Sequence, residues 1–152
     1  MHGFWLFVHN LGYTVWIGGG LATMLAGIAS KRMAPAERLA VYKTTSFVQR
    51  ALVGTGAIVT IVSGLFLAMP YMKNPEMMWR GMNAMMGFGI LGAILAVTLS
   101  VPTAAKLGRL DLDPRGELPE VFFSLRKQQA WFATIAGSLG LLALVAATFF
   151  RS

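Results

Sequence analysis

Cysteine is absent from the 152 residues. Its absence excludes disulfides, thiolate-held metals, iron–sulfur clusters and covalently attached c-type haem. Charge is scarce: Asp, Glu, Lys and Arg together make up 12% of the chain, about half the share of a soluble domain. With 56% hydrophobic residues, too little polar surface remains to cover a fold in water. No low-complexity tract or long linker breaks the chain, and its length fits one domain spanning residues 1–152. Hydrolytic chemistry is set aside, because no nucleophile–base–acid set, HExxH pair or phosphate-binding loop occurs. No catalytic residue is assigned, and the balance of the sequence leans away from an enzyme.

What is present is four long apolar runs, Phe4–Ala29, Ala51–Met72, Met82–Ala105 and Ala130–Phe150. Each meets the requirement of about 20 residues for a helix crossing the bilayer core. None alternates polar with apolar residues as a barrel strand does. The expected fold is all-α, an integral membrane four-helix bundle. The first run is not read as a cleaved leader, since it lacks a basic segment before it and its charges come after.

The net charge of +7 does not point to nucleic acid, because the basic residues sit in short segments between the runs. Ten of the thirteen Lys and Arg residues lie between runs one and two or between runs three and four. By the positive-inside rule these two loops are cytoplasmic and both termini lie outside, in a bacterial inner membrane on the periplasmic side. Pro35 and Pro119 stand where short loop helices would start. Leu118, Phe122 and Leu125 would then either lie on the membrane surface or belong to an extension of span four. The stretch Asp111–Asp113 with Pro114 and Gly116 reads as a solvated turn, and Pro102 as a bend at the inner end of span three.

Small residues recur every four positions, as in Gly19, Thr23 and Gly27, or Gly56, Thr60 and Gly64. Such stripes let backbones approach in lipid, where no hydrophobic force joins helices. They suit contacts within the bundle and equally contacts with a second copy or a partner subunit.

His9 is the one ionisable side chain clearly inside a span. Burying it has a cost, which makes it a functional candidate, and neutral imidazole ligates haem iron and transition metals. His9, Gly12 and Trp16 follow one helical face, with Gly12 leaving room for a flat ligand. The alternative is a histidine satisfied by hydrogen bonds to a neighbouring helix. His2 lies seven residues earlier, about 10 Å along the axis.

Seven of the ten methionines fall between residues 69 and 86, on the same side as the histidines. Thioethers favour Cu(I), and a His–Met pair is a known haem ligation. Candidate metal ligands are therefore His9, His2, Met78, Met82 and Met85. Candidate cofactor-binding residues are His9, Gly12, Trp16, Met82 and Met85, with haem b as the cofactor and Cu(I) or another tetrapyrrole as alternatives. Against this, methionines at helical spacing also pack irregular apolar contacts.

The stretch from His9 to Gly19 reads His, six residues, Trp, one residue, Gly-Gly. It resembles the first helix of the copper-resistance CopD-like membrane proteins and, more loosely, of HemJ-type protoporphyrinogen oxidases. The resemblance rests on His9, Trp16, Gly18 and Gly19, about eleven residues of the chain. It implies a helical bundle that handles haem or copper. The chain departs from those families in having no histidine in spans two to four and in being shorter than full CopD proteins.

Two functional expectations emerge. One is a haem- or copper-binding membrane protein with His9 as principal ligand. The other is a non-catalytic accessory subunit of a larger respiratory or photosynthetic complex, or a homo-oligomer. A transporter is disfavoured, as no carboxylate lies in a span to couple protons.

Overall fold

The computed structural model describes residues 2–73 and 80–149, and every regular element in it is helical. Helix α1 covers His2–Ala29 and ends in a single 3₁₀ turn, Ser30–Arg32. Helix α2, Pro35–Val48, passes through a π-helical turn, Gln49–Gly54, into α3, Thr55–Met72. These three form one rod of 38 residues, about 57 Å long at 1.5 Å per residue. Helix α4, Arg80–Leu95, leads through a second π-helical turn, Ala96–Ser100, into α5, Val101–Leu107. Helix α6, Glu120–Phe149, is the last described element.

Four of these rods are long and apolar enough to cross a membrane. Their packing has the character lipid demands. In the middle of the rods the buried residues are mostly Gly, Ala, Ser and Thr, with Trp16, Gln49, Val53 and Met82 the large exceptions, while Leu39, Tyr42, Leu107 and Phe122 are buried at the loop end. Large side chains such as Phe7, Leu25, Leu91 and Leu144 face outward. A surface this apolar is unsuited to water, whereas small residues inside let helix backbones approach.

The bundle is built from two tight antiparallel pairs, α1 with α3 and α4 with α6. In the first pair, a methyl group placed on Gly56 would lie 2.7 Å from the Trp16 amide nitrogen, and one on Gly12 would lie 2.9 Å from Thr60 Oγ1. In the second, one on Gly92 would lie 3.0 Å from the Ala136 carbonyl oxygen. The pairs join through Trp16, 3% exposed, whose ring packs against Gly92 and Gly140 within a core of Val53, Ala57, Ala93, Ala96 and Ala136. Tyr13 adds a hydrogen bond, Oη donating to the Gly140 carbonyl at 3.3 Å.

The loop end departs from one sequence expectation. Pro35 does start a helix, and the Glu37 carboxylate accepts the Ala34 N–H, as helix initiation favours. That helix is continuous with α3, and α6 begins well before its apolar stretch. Phe122 is therefore not on a membrane surface. It is fully buried in a second core with Leu39, Tyr42 and Leu107, against which Leu118 and Leu125 pack. The physical reason is that α2 brings a protein partner to this face of α6, and Arg38 covers the ring at 5.2 Å. The expected turn at Asp111–Asp113 is present. Asp113 Oδ1 accepts the N–H groups of Arg115 and Glu117, and Gly116 takes the positive φ of 79° that the reversal needs. The break at Pro102 takes the form of the π-helical turn just before it, since proline offers no N–H to the Thr98 carbonyl.

Candidate functional site

His9 lies on the face of α1 that meets α3. Its Nδ1 is 2.9 Å from the Thr60 carbonyl oxygen and 3.3 Å from Ser63 Oγ. A carbonyl only accepts, so Nδ1 carries the proton and donates it. Ser63 directs its own hydroxyl to the Val59 carbonyl at 2.5 Å, which leaves its oxygen free to share the His9 proton. The imidazole fits because residue 64 is glycine: a methyl group there would lie 3.0 Å from His9 Cε1. Fixing the proton on Nδ1 leaves Nε2 as the nitrogen with a free lone pair. Metal-binding histidines are held in this way, with the second nitrogen donating to a backbone carbonyl.

Helix register identifies what lies at the same depth. Helices α1 and α4 run in the same direction, both being antiparallel to helices in contact with them. The Trp16 ring meets Gly92 across the bundle. His9 precedes Trp16 by seven residues, and Met85 precedes Gly92 by seven. Seven residues make about two turns and about 10 Å, so His9 and Met85 stand level, each on the helix face that carries the Trp16–Gly92 contact. Met82, one turn further out on α4, is buried, and Met85 is half-buried. The two helices sit diagonally, without direct backbone contact. With neighbours packing about 8–10 Å apart, diagonal axes lie about 11–14 Å apart.

The other expected residues fare differently. Gly12 offers no room for a flat ligand, because Thr60 and Val59 fill the space beside it. It is a point of close helix approach. Trp16 is a core residue that plugs the centre of the bundle. His2 is exposed near the start of α1. Met78 lies outside the described residues. Among the described residues no three His, Cys, Asp or Glu side chains cluster as a metal site. Any metal here would be held by one imidazole and thioethers, a soft donor set.

This set suits a small soft ion better than a macrocycle. The cavity of about 460 Å³ lies on the far side of Trp16 from His9 and does not include it. The sequence singles out His9 and the methionines but does not reveal what holds the imidazole, the Thr60 carbonyl, Ser63 and Gly64. The four-residue spacing of Thr60 and Gly64 was visible. Its partner was not, because pairing of α1 with α3 is a tertiary fact. Comparison with protein-family models, with curated proteins and with solved structures finds no match to the chain.

Proposed function

We propose that the protein holds a soft transition-metal ion, Cu(I) in the first instance, in the outer half of its bundle, with His9 and Met85 as ligands and Met82 assisting. The observation that carries this reading is the His9 imidazole, fixed through Nδ1 on the Thr60 carbonyl so that Nε2 is free at the depth of Met85. Imidazole and thioether are neutral, and both suit Cu(I). A single positive charge then enters the span without a carboxylate to trap it, which favours passing the ion on over storing it. The resemblance of the first helix to CopD-like proteins points the same way. With the basic loops taken as cytoplasmic, the site faces the periplasm of a bacterial inner membrane.

The test is anaerobic Cu(I) titration of the detergent-purified protein against a competing chelator, with an absorption scan of the same sample. Wild type is expected to bind one ion. His9→Ala and Met85→Leu are each expected to weaken it by about tenfold or more. A wild-type protein that never competes with the chelator sinks the proposal. A Soret band lost in His9→Ala replaces copper with haem b.

One observation favours a second reading, an accessory subunit. Methyl groups on Gly18 and Gly87, both exposed, would meet nothing within 4 Å, so these span glycines serve no contact inside the bundle. They offer close approach to a neighbouring helix. Stable co-purification with the same membrane proteins in mild detergent supports this reading, and a protein that always runs alone removes it.

A further inference from the structure

The loop-side half of the bundle contains a feature that the His9 site does not use. Helices α1 and α6 touch at Tyr13, Trp16 and Ile17 against Gly140. Below that point they line opposite walls of the cavity of about 460 Å³, a volume typical of small-molecule sites. Leu21, Met24, Ile28 and Leu141 line it and are also exposed. The cavity therefore opens sideways between the two helices onto the apolar surface.

Its floor is where the two π-helical turns meet. Gln49 and Val53 come from the first, and Ala96 and Ser100 from the second. A π-helical turn inside a helix is costly and is often found at functional sites. Here both converge on one cavity and turn polar side chains into it.

Those side chains are incompletely partnered. Gln49 is 3% exposed, and its Nε2 donates to Thr23 Oγ1 at 2.8 Å. Thr23 spends its only proton on the Gly20 carbonyl at 2.9 Å. Thr23 must therefore accept from Gln49, which fixes the amide orientation. Gln49 Oε1 is left buried without a hydrogen-bond partner. Gln129 lies 3.1 Å from Ser100 Oγ, but Ser100 keeps its own proton to give, so either orientation of this amide is satisfied there and its other polar atom is left without a partner. A buried acceptor lacking a donor, beside a second amide with one free polar atom, asks for a ligand that brings hydroxyl groups, which both donate and accept.

Arg126 stands one turn before Gln129 on α6. Its Nε donates to Tyr42 Oη at 3.0 Å. No carboxylate neutralises it: Lys43 with Asp111 is the one ion pair among the described residues. Lys31 lies at the same mouth. A half-buried guanidinium with free donors suits a phosphate oxygen.

We infer that this cavity binds an anionic glycerophospholipid with a hydroxylated head group. The phosphate would lie on Arg126, with Lys31 nearby. One head-group hydroxyl would donate to Gln49 Oε1, another would pair with the Gln129 amide, and the acyl chains would leave between α1 and α6. A free polyol phosphate shares the polar chemistry but not the chains, and the sideways opening onto the apolar surface favours the lipid.

The test uses the full chain reconstituted in phosphatidylcholine nanodiscs, with thermal unfolding followed as phosphatidylglycerol is added. Wild type should be stabilised, and phosphatidylglycerol should be retained about tenfold over phosphatidylcholine through delipidation and native mass spectrometry. Arg126→Gln and Gln49→Leu should each abolish that preference. Arg126→Lys, which keeps the charge, should retain part of it. Lys127→Gln, an exposed neighbour outside the cavity, should behave as wild type. Equal retention of the two lipids overturns the inference, as does equal loss in Arg126→Gln and Lys127→Gln. Glycerol phosphate alone reproducing the stabilisation also overturns it and assigns a soluble phosphate ester instead.

Discussion

Single glycines decide how closely α1 and α3 approach. A methyl group on Gly56 would meet the Trp16 amide nitrogen at 2.7 Å and the Gly12 carbonyl oxygen at 2.8 Å. Both are backbone atoms, so neither moves without moving a helix. Gly56→Ala is expected to cost about 1–3 kcal/mol through overpacking, whereas Gly18→Ala, with nothing within 4 Å, should change stability by less than about 0.5 kcal/mol. Unfolding of the two variants in the same detergent checks the difference. Gly64→Ala tests the metal reading in a milder way. Its methyl would press on the His9 ring, 3.0 Å from Cε1, where a side chain can yield. The fold should persist while Cu(I) affinity falls, measured by the same chelator competition. Unchanged affinity would mean that the His9 orientation set by α3 is irrelevant to binding.

At the scale of elements, the rods outlast the membrane. α2 extends α3, and α6 starts early, so that Leu39, Tyr42, Leu107 and Phe122 form a core beyond the apolar spans. Phe122→Ala should cost about 3–5 kcal/mol locally, as truncation of a buried phenylalanine does. Hydrogen exchange should quicken across Pro35–Val48 and stay slow in the middle of α1 and α3. Uniform loosening of all helices would show instead that the loop-end core and the spans unfold as one. The spans were legible because about 20 apolar residues permit little else. The extensions were not, because α2 is amphipathic and charged, and its buried face is explained only by Leu107 and Phe122 on distant segments. The polar cavity was hidden for a different reason. A π-helical turn inserts a residue and rotates the rest of the helix by about 100°, so faces counted at a constant 3.6 residues per turn do not predict that Gln49 and Ser100 look inward. His9 stood out by chemistry alone. Its partner Thr60 contributes a backbone oxygen, which no side-chain pattern reveals.

For the whole molecule, the two ends of the bundle differ in kind. One end carries His9 and the buried methionine, and the other carries the basic loops, Arg126 and the glutamine-lined cavity. Sidedness therefore determines which leaflet meets which site. Ten of the thirteen basic residues lie in the two segments between spans at the loop end, which the positive-inside rule would place in the cytoplasm. The absence of cysteine makes this directly measurable, since any thiol introduced is the only one. His2 and Glu117 are both exposed, at opposite ends of the bundle. In intact cells, His2→Cys should react with a membrane-impermeant maleimide, and Glu117→Cys should react only after permeabilisation. The reverse pattern would place His9 towards the cytoplasm and the lipid cavity in the outer leaflet. The metal would then be drawn from the reducing cytosol, where Cu(I) is the prevalent form, and the protein would donate copper outward instead of receiving it. The labelling result thus fixes the direction in which a metal held by His9 and Met85 can be exchanged.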